Sequence, residues 1–228
     1  MISYKPMSDK PSVRSPWFWV PSLYFAQGIP YVAVMIVSVL MYKRLGVSNT
    51  DIALYTSWLN LPWVIKPFWS PFVDLLKTKR WWVATMQLLI GAGLAGVAFT
   101  IPTTFFFQAS LAVFWLLAFS SATHDIAADG FYMLALDSHE QAFFVGIRST
   151  FYRIAIIAGQ GVLVMFAGFL ENSTGNIPLA WSVTFFILGG LFLALFLYHR
   201  YILPLPKGDK PSATVTPSTI LKEFFATF

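Results

Sequence analysis

The chain of 228 residues contains no cysteine, and only 11% of its residues are charged. Without cysteine there is no disulfide framework, no thiol nucleophile and no thiolate metal site. The 15 lysine and arginine residues are too scattered to form the basic stripe of a nucleic-acid-binding surface, although the pI is near 9.5. Because soluble domains carry about 25% charged residues, this chain has too little polar surface to fold in water.

Apolar and aromatic residues dominate the composition, at 57% and 18%, and the mean hydropathy is +0.67. So many aromatic side chains exclude a disordered chain. Apolar runs of about 18 residues or more, long enough to cross a bilayer, recur along the sequence. They lie at 17–42, 52–73, 81–101, 105–136, 143–170 and 179–198. Since these runs lack the alternation of barrel strands, we predict an all-α membrane protein, with a six-transmembrane-helix bundle over residues 17–203.

Basic residues alternate between the predicted loops. They occur in the tail at 1–16, in the second loop, beside the fourth loop and after the sixth span, whereas the third and fifth loops have none. The positive-inside rule therefore predicts a multi-pass protein of the cytoplasmic (inner) membrane whose N-terminal tail is cytoplasmic. Lys43 and Arg44, in the first loop, do not fit this pattern. They either snorkel from a helix end, which we favour, or serve an anionic ligand at the outer mouth.

After the sixth span the composition changes to proline, lysine, serine and threonine, which is typical of a flexible linker. Apolar residues return from about residue 219, so we predict a cytoplasmic linker and the start of a further helix over 204–228. This pattern predicts the N-terminal half of a longer chain with six spans on each side of the linker. A half-size protein that dimerises is the alternative.

Two predicted spans are interrupted by proline and polar residues. Gln27 precedes Gly28 and Pro30 in the first span, and Lys66 precedes Pro67 in the second. Interior prolines kink helices, and a charge inside the membrane indicates function by default. Alternatively, the kink near Gln27 serves only helix packing, and Lys66 is only a structural partner of an acidic residue. The predicted substrate-binding residues are Gln27, Lys66, His124 and Gln160.

The fourth span carries the densest polar cluster, in which Asp125 and Asp129 share one helix face. Two acids on one apolar face resist double ionisation, so one of them could exchange protons near neutrality. Arg153, in the fifth span, reaches the depth of Asp125 if the two helices are antiparallel neighbours. We predict that Asp125, Asp129 and Arg153 form a proton-coupling site, with Arg153 or Lys66 as the cation beside Asp125. Permanent neutralisation of the acids is the alternative.

A metal or enzyme interpretation of the two aspartates is disfavoured, because no other predicted span contains a second acidic cluster. We therefore predict no catalytic residues, no metal and no cofactor.

Several of these stretches resemble the AmpG muropeptide permease group of the major facilitator superfamily, which is related to acetyl-CoA transporters. The resemblance rests on 27–30, 61–74, 124–130 and 146–153, and it extends to about residue 206. It implies the N-terminal half of a fold in which two six-helix bundles rock around a central site. It also implies inward transport of anhydromuropeptides by proton symport. The partners would be a muropeptide-like small molecule, protons, membrane lipids and a C-terminal six-helix half, without nucleic acid.

The superfamily has a charged motif after its second helix, and this chain matches it in part. Asp74 matches, but the motif's glycines and the basic residue directly after the aspartate are missing. The resemblance implies a conformational latch formed by Asp74, Lys77, Lys79 and Arg80. Other possible functions are transport of an acetyl-CoA-like, sugar or drug-like substrate, or a non-transporting membrane scaffold. A scaffold gives no reason for charges within apolar spans.

Overall fold

The computed structural model describes residues 15–211. The predicted tail up to residue 14 and the predicted further helix from 219 lie outside this range. Within it, every regular element is helical, and five helices are long and apolar enough to cross a membrane. They are α1 (Pro16–Arg44), α2 (Lys79–Thr100), α3 (Phe106–Ala135), α4 (Ser138–Thr174) and α5 (Ile177–Ile202). The first, third, fourth, fifth and sixth predicted spans are thereby confirmed as apolar helices.

The predicted second span is not one helix but a series of short pieces over residues 49–76, here called the broken segment. Its α-helical pieces are Asn49–Thr56, Leu61–Ile65 and Ser70–Leu76, and 3-10 turns occupy Ser57–Asn60 and Lys66–Phe68. Prolines at 62, 67 and 71 explain the breaks, because proline lacks an amide hydrogen and clashes with the preceding turn. The segment connects the end of α1 to the start of α2.

Short polar motifs determine where the long helices begin and end. The Thr78 hydroxyl accepts a hydrogen bond of 3.1 Å from the amide of Trp81 at the start of α2. Asp137 and Glu140 form a reciprocal capping box that starts α4 directly after α3. Gly175 ends α4 with a positive φ of 65°, which glycine adopts without strain. These short connections lead directly from one long helix to the next, and the consecutive pairs α2–α3 and α4–α5 pack against each other.

In the bundle, α2 packs between α3 and α5, while α1 packs against α4 and α3. A contact between α1 and α5 identifies one end of the bundle. Tyr198 of α5 donates a hydrogen bond to the carbonyl of Phe18 in α1, at the end where the described chain both begins and finishes. We call this the basic end, because Lys79, Arg80 and Arg200 lie there. The opposite end, where α1 and α4 finish, is called the Glu171 end.

Helices α1 and α4 approach each other closely, and each contains a π-helical turn at the contact. The turns are Ala33–Val37 in α1 and Gly159–Leu163 in α4. A Cβ added to Gly159 would lie 2.1 Å from Cγ1 of Val32, and one added to Gly28 would lie 2.7 Å from Cβ of Ala155. The two helices therefore pack at a separation that only glycine permits. Single π turns inside helices frequently occur at functional sites.

Candidate functional site

Asp125 lies on the face of α3 that packs toward the broken segment, and its side chain is largely buried. Its Oδ2 atom is 3.7 Å from Nζ of Lys66. The indole of Trp69 donates a 3.2 Å hydrogen bond to Thr123, which ties the broken segment to α3 beside this ion pair. Lys66 begins a 3-10 turn at one of the proline breaks, so the irregular backbone brings the ammonium group to the carboxylate.

Gln27 of α1 is a further neighbour of the Asp125 carboxyl group. The Oδ1 atom of Asp125 and the Oε1 atom of Gln27 are both buried and form no hydrogen bond of normal geometry among residues 15–211, although the Gln27 and Trp63 side chains lie beside the carboxyl group. A buried acceptor without a donor costs about 1–3 kcal/mol. Such atoms mark a place where a proton, water or ligand group would be bound favourably.

Asp129, one helical turn along α3, belongs to a separate charged group. Its Oδ1 atom accepts a 2.9 Å hydrogen bond from the Tyr24 hydroxyl and lies 3.4 Å from Nη1 of Arg148. The Arg148 guanidinium also donates to the Tyr24 hydroxyl at 3.0 Å and lies over the rings of Tyr24 and Tyr132. The two acids share a helix face, as predicted, but each has its own cation.

A cavity of about 380 Å³ opens between α1 and α4 beside these charges. Both Gln27 and Arg153 line it, so the structure brings a predicted substrate-binding residue together with a predicted proton-coupling residue. Arg153 is exposed and forms no ion pair within the described range. Of the two cations predicted for Asp125, Lys66 and Arg153, the structure places Lys66 beside the carboxylate. The cavity between α1 and α4 is also lined by Tyr24, Arg148, Ser149 and Tyr152.

Gln160 and His124 lie apart from Asp125's ion pair. Gln160 is exposed on the π turn of α4, two turns beyond Arg153. His124 is fully buried, with its Nε2 atom 3.1 Å from the side-chain amide nitrogen of Gln87. The Oε1 atom of Gln87 is 3.0 Å from Nδ1 of His199, whose Nε2 atom is 3.0 Å from the Ser22 hydroxyl.

This chain of polar contacts joins four helices through the centre of the bundle. Neither Gln87 nor His199 was a predicted site residue. Gln87 is a polar residue within an apolar run, which was the available signal, whereas His199 follows the sixth predicted span beside Arg200. The face of α3 carrying His124 is therefore held in the bundle core, which orients the face carrying Asp125 toward the broken segment.

The four residues of the predicted latch lie at the basic end. Asp74 forms an ion pair with Lys79 across the turn between the broken segment and α2. The ammonium group of Lys77 lies 5.9 Å from the ring centre of Trp81. Asp209, which the sequence did not indicate, accepts hydrogen bonds from the backbone amides of Lys79 and Arg80, at 2.5 and 3.0 Å. It thereby docks the start of the predicted linker on α2.

At the opposite end, Arg44 donates hydrogen bonds to Glu171 rather than standing alone. Glu171 also accepts a 2.7 Å hydrogen bond from the buried indole of Trp181, so one carboxylate joins α1, α4 and α5. Lys43 donates to the side chain of Asn49. The Arg44 side chain is 56% exposed at the end of α1 and has a specific acidic partner, so its snorkelling stays a prediction.

We expect Glu171→Ala to destabilise the bundle by about 1–3 kcal/mol, because the buried Trp181 N–H group loses its acceptor. Glu171→Gln keeps an acceptor for Trp181 and removes only the charge, so its effect should be smaller. Thermal unfolding of the purified protein, followed by tryptophan fluorescence, measures both. Equal effects of the two substitutions would contradict the hydrogen-bond explanation.

The apolar helices and the charged groups among them define a multi-pass membrane protein. The BT1 family model matches residues 25–220, so the chain belongs to the BT1 family. The chain is 29% identical over 181 residues to AmpG 4 of Rickettsia conorii and 28% identical over 153 residues to the anhydromuropeptide permease of Escherichia coli K12. These alignments cover 75% and 64% of this chain.

They cover 41% and 30% of the two relatives, so the chain spans less than half of their length. The resemblance to AmpG-named proteins is confirmed, and the family and the relatives' names support a membrane transporter.

Proposed function

We propose that this chain is the N-terminal half of a proton-coupled transporter of the major facilitator superfamily, which takes up anhydromuropeptides across the inner membrane. In this proposal the half comprises a tail at 1–16, six membrane crossings over 17–203 and a linker over 204–228. The broken segment makes the second crossing, because it leads from the Glu171 end, where α1 finishes, to the basic end, where α2 begins. Irregular backbone is tolerated in a membrane where it is buried in protein or lines a cavity.

The contact between Lys66 and Asp125 is the observation that carries the proposal. In the proposal, Lys66 favours the ionised form of the nearby carboxylate. If substrate or rocking of the halves separates the two groups, a carboxylate left in apolar surroundings takes up a proton more readily. The proton is released when the contact forms again. Such a cycle couples proton entry to movement without any covalent chemistry, as expected for a permease rather than an enzyme.

The cavity between α1 and α4 supplies groups for a peptide-bearing substrate. Arg148 and Arg153 both line it, and guanidinium groups bind carboxylates in a planar, two-pronged manner. Gln27 adds an amide at the same cavity. In the proposal Asp129 is a second proton-coupling acid that positions Arg148 at the cavity, and Gln160 and His124 are further substrate-binding residues.

Uptake by the full-length protein in sealed inner-membrane vesicles tests this function. Labelled anhydromuropeptide should accumulate with a proton gradient, and an uncoupler should abolish the accumulation. Labelled acetyl-CoA and a free amino sugar serve as comparison cargoes. Accumulation of one of these instead would contradict the muropeptide assignment, and no accumulation of any cargo would contradict transport.

A second test addresses the latch. Asp74→Asn removes the negative partner of Lys79, so we expect a shift in the balance between inward-facing and outward-facing states. Accessibility of cysteines introduced on the two sides of the cavity measures this balance, because the chain has no native cysteine. Asp51→Asn, an exposed acid at the start of the broken segment, is the matched control. Unchanged labelling in Asp74→Asn would leave that residue without a latch role.

A further inference from the structure

A cavity of about 420 Å³ lies between α2 and α5 at the basic end, away from the proposed transport site. The cavity is rich in basic, aromatic and polar side chains. Its lining includes Thr78, Arg80, Trp81, Arg200, Tyr201 and Asp209. None of these residues except Arg80 takes part in the function proposed above.

The charges in this cavity favour an anion. Arg80 donates a hydrogen bond to the backbone carbonyl of Arg200, which holds its guanidinium between the two helices. The Arg200 side chain is exposed and forms no ion pair with residues 15–211. The cavity's one carboxylate, Asp209, is engaged by the first backbone amides of α2. Its negative charge is therefore compensated by the helix N-terminus, and the exposed Arg200 guanidinium adds positive charge beside the opening.

The rim of the cavity is suited to a lipid rather than to a soluble anion. Trp81, Tyr201 and Leu205 are 44%, 70% and 78% exposed. Tryptophan and tyrosine concentrate at the depth of the lipid headgroups. Phe196 and Ala84 continue the lining along the two helices, and this direction suits an acyl chain. Basic pockets between transmembrane helices bind anionic headgroups.

We infer that the cavity between α2 and α5 binds the headgroup phosphate of an anionic phospholipid, with Arg200 and Arg80 as its cationic contacts. The bound lipid would bridge the start of α2 to the end of α5. Because Asp209 docks the linker at the same place, the lipid would also lie beside the point where the chain leaves the bundle. This inference does not depend on the cargo or on proton coupling.

Native mass spectrometry of the full-length protein in detergent tests the site. Phosphatidylglycerol, phosphatidylcholine and soluble glycerol phosphate are added in separate titrations. We expect one phosphatidylglycerol to be retained in preference to phosphatidylcholine, and glycerol phosphate to bind much more weakly. Arg200→Gln should weaken phosphatidylglycerol binding by about fivefold, the effect of one basic residue at an anionic lipid surface.

Two further variants make the result specific. Lys207→Gln removes one positive charge from an exposed residue outside the cavity, and it should leave binding nearly unchanged. Arg200→Lys retains the charge and should bind more tightly than Arg200→Gln. Equal losses in Arg200→Gln and Lys207→Gln would show only diffuse attraction to surface charge and would overturn the site. Glycerol phosphate binding as tightly as phosphatidylglycerol would also overturn it, since the acyl chains would then contribute nothing.

Discussion

Asp125→Asn in the full-length protein should abolish proton-driven accumulation of cargo and leave some downhill exchange. The substitution keeps the size of the side chain but removes its ionisable group, so Lys66 loses its negatively charged partner. The cavity between α1 and α4 does not contain Asp125 in its lining, so cargo can still enter and leave. Sealed vesicles with and without an imposed proton gradient measure the two activities separately.

A double substitution distinguishes proton coupling from a purely structural ion pair. Lys66→Met alone leaves a largely buried carboxylate without its cation and should impair folding or activity for that reason. Lys66→Met combined with Asp125→Asn removes both charges, and such paired removal is often neutral for stability. We expect the double variant to fold well and still fail to accumulate cargo. Restored accumulation in the double variant would show that Lys66 and Asp125 only neutralise each other and do not couple protons to transport.

The matched control for these vesicle assays is Asp51→Asn, which changes an exposed aspartate at the Glu171 end of the bundle. It should accumulate cargo as the unsubstituted protein does. Persistent proton-driven accumulation in Asp125→Asn would refute the assignment of Asp125, whatever the behaviour of Asp129.

Gly159→Ala should destabilise the contact between α1 and α4. The added Cβ would lie 2.1 Å from a methyl group of Val32, so the Val32 side chain must rotate or the two helices must move apart. Overpacking of this kind costs typically about 1–3 kcal/mol. Thermal unfolding of the detergent-purified protein, followed by intrinsic tryptophan fluorescence, measures the change.

Gly161→Ala provides a control in the same π turn. No atom lies within 4 Å of a Cβ placed at Gly161, and alanine is favoured over glycine in helices by about 1 kcal/mol. We therefore expect this variant to be neutral or slightly more stable. Equal destabilisation by Gly159→Ala and Gly161→Ala would point to the backbone of the π turn rather than to the contact with Val32.

The membrane class, the helical fold and the approximate limits of α1 to α5 could be predicted from the sequence. Each depends on local properties, namely the length of an apolar run and the residues that cap it. The capping box at Asp137 and Glu140, for example, is encoded within one turn of chain. The prolines in 52–73 were also visible in the sequence. The average hydropathy of this run predicts one span, however, and does not show that the prolines divide it into short helical pieces.

The sequence by itself determined which polar residues lie inside apolar runs, because counting along the chain suffices for that. Only the tertiary structure decided which of them meet. Lys66 rather than Arg153 is the cation at Asp125, Glu171 is the partner of Arg44, and Asp209 docks on α2. These pairings depend on how each helix is rotated about its axis and on which helices are neighbours. Both are decided by packing contacts between distant parts of the chain, such as the close approach of α1 and α4 at Gly159.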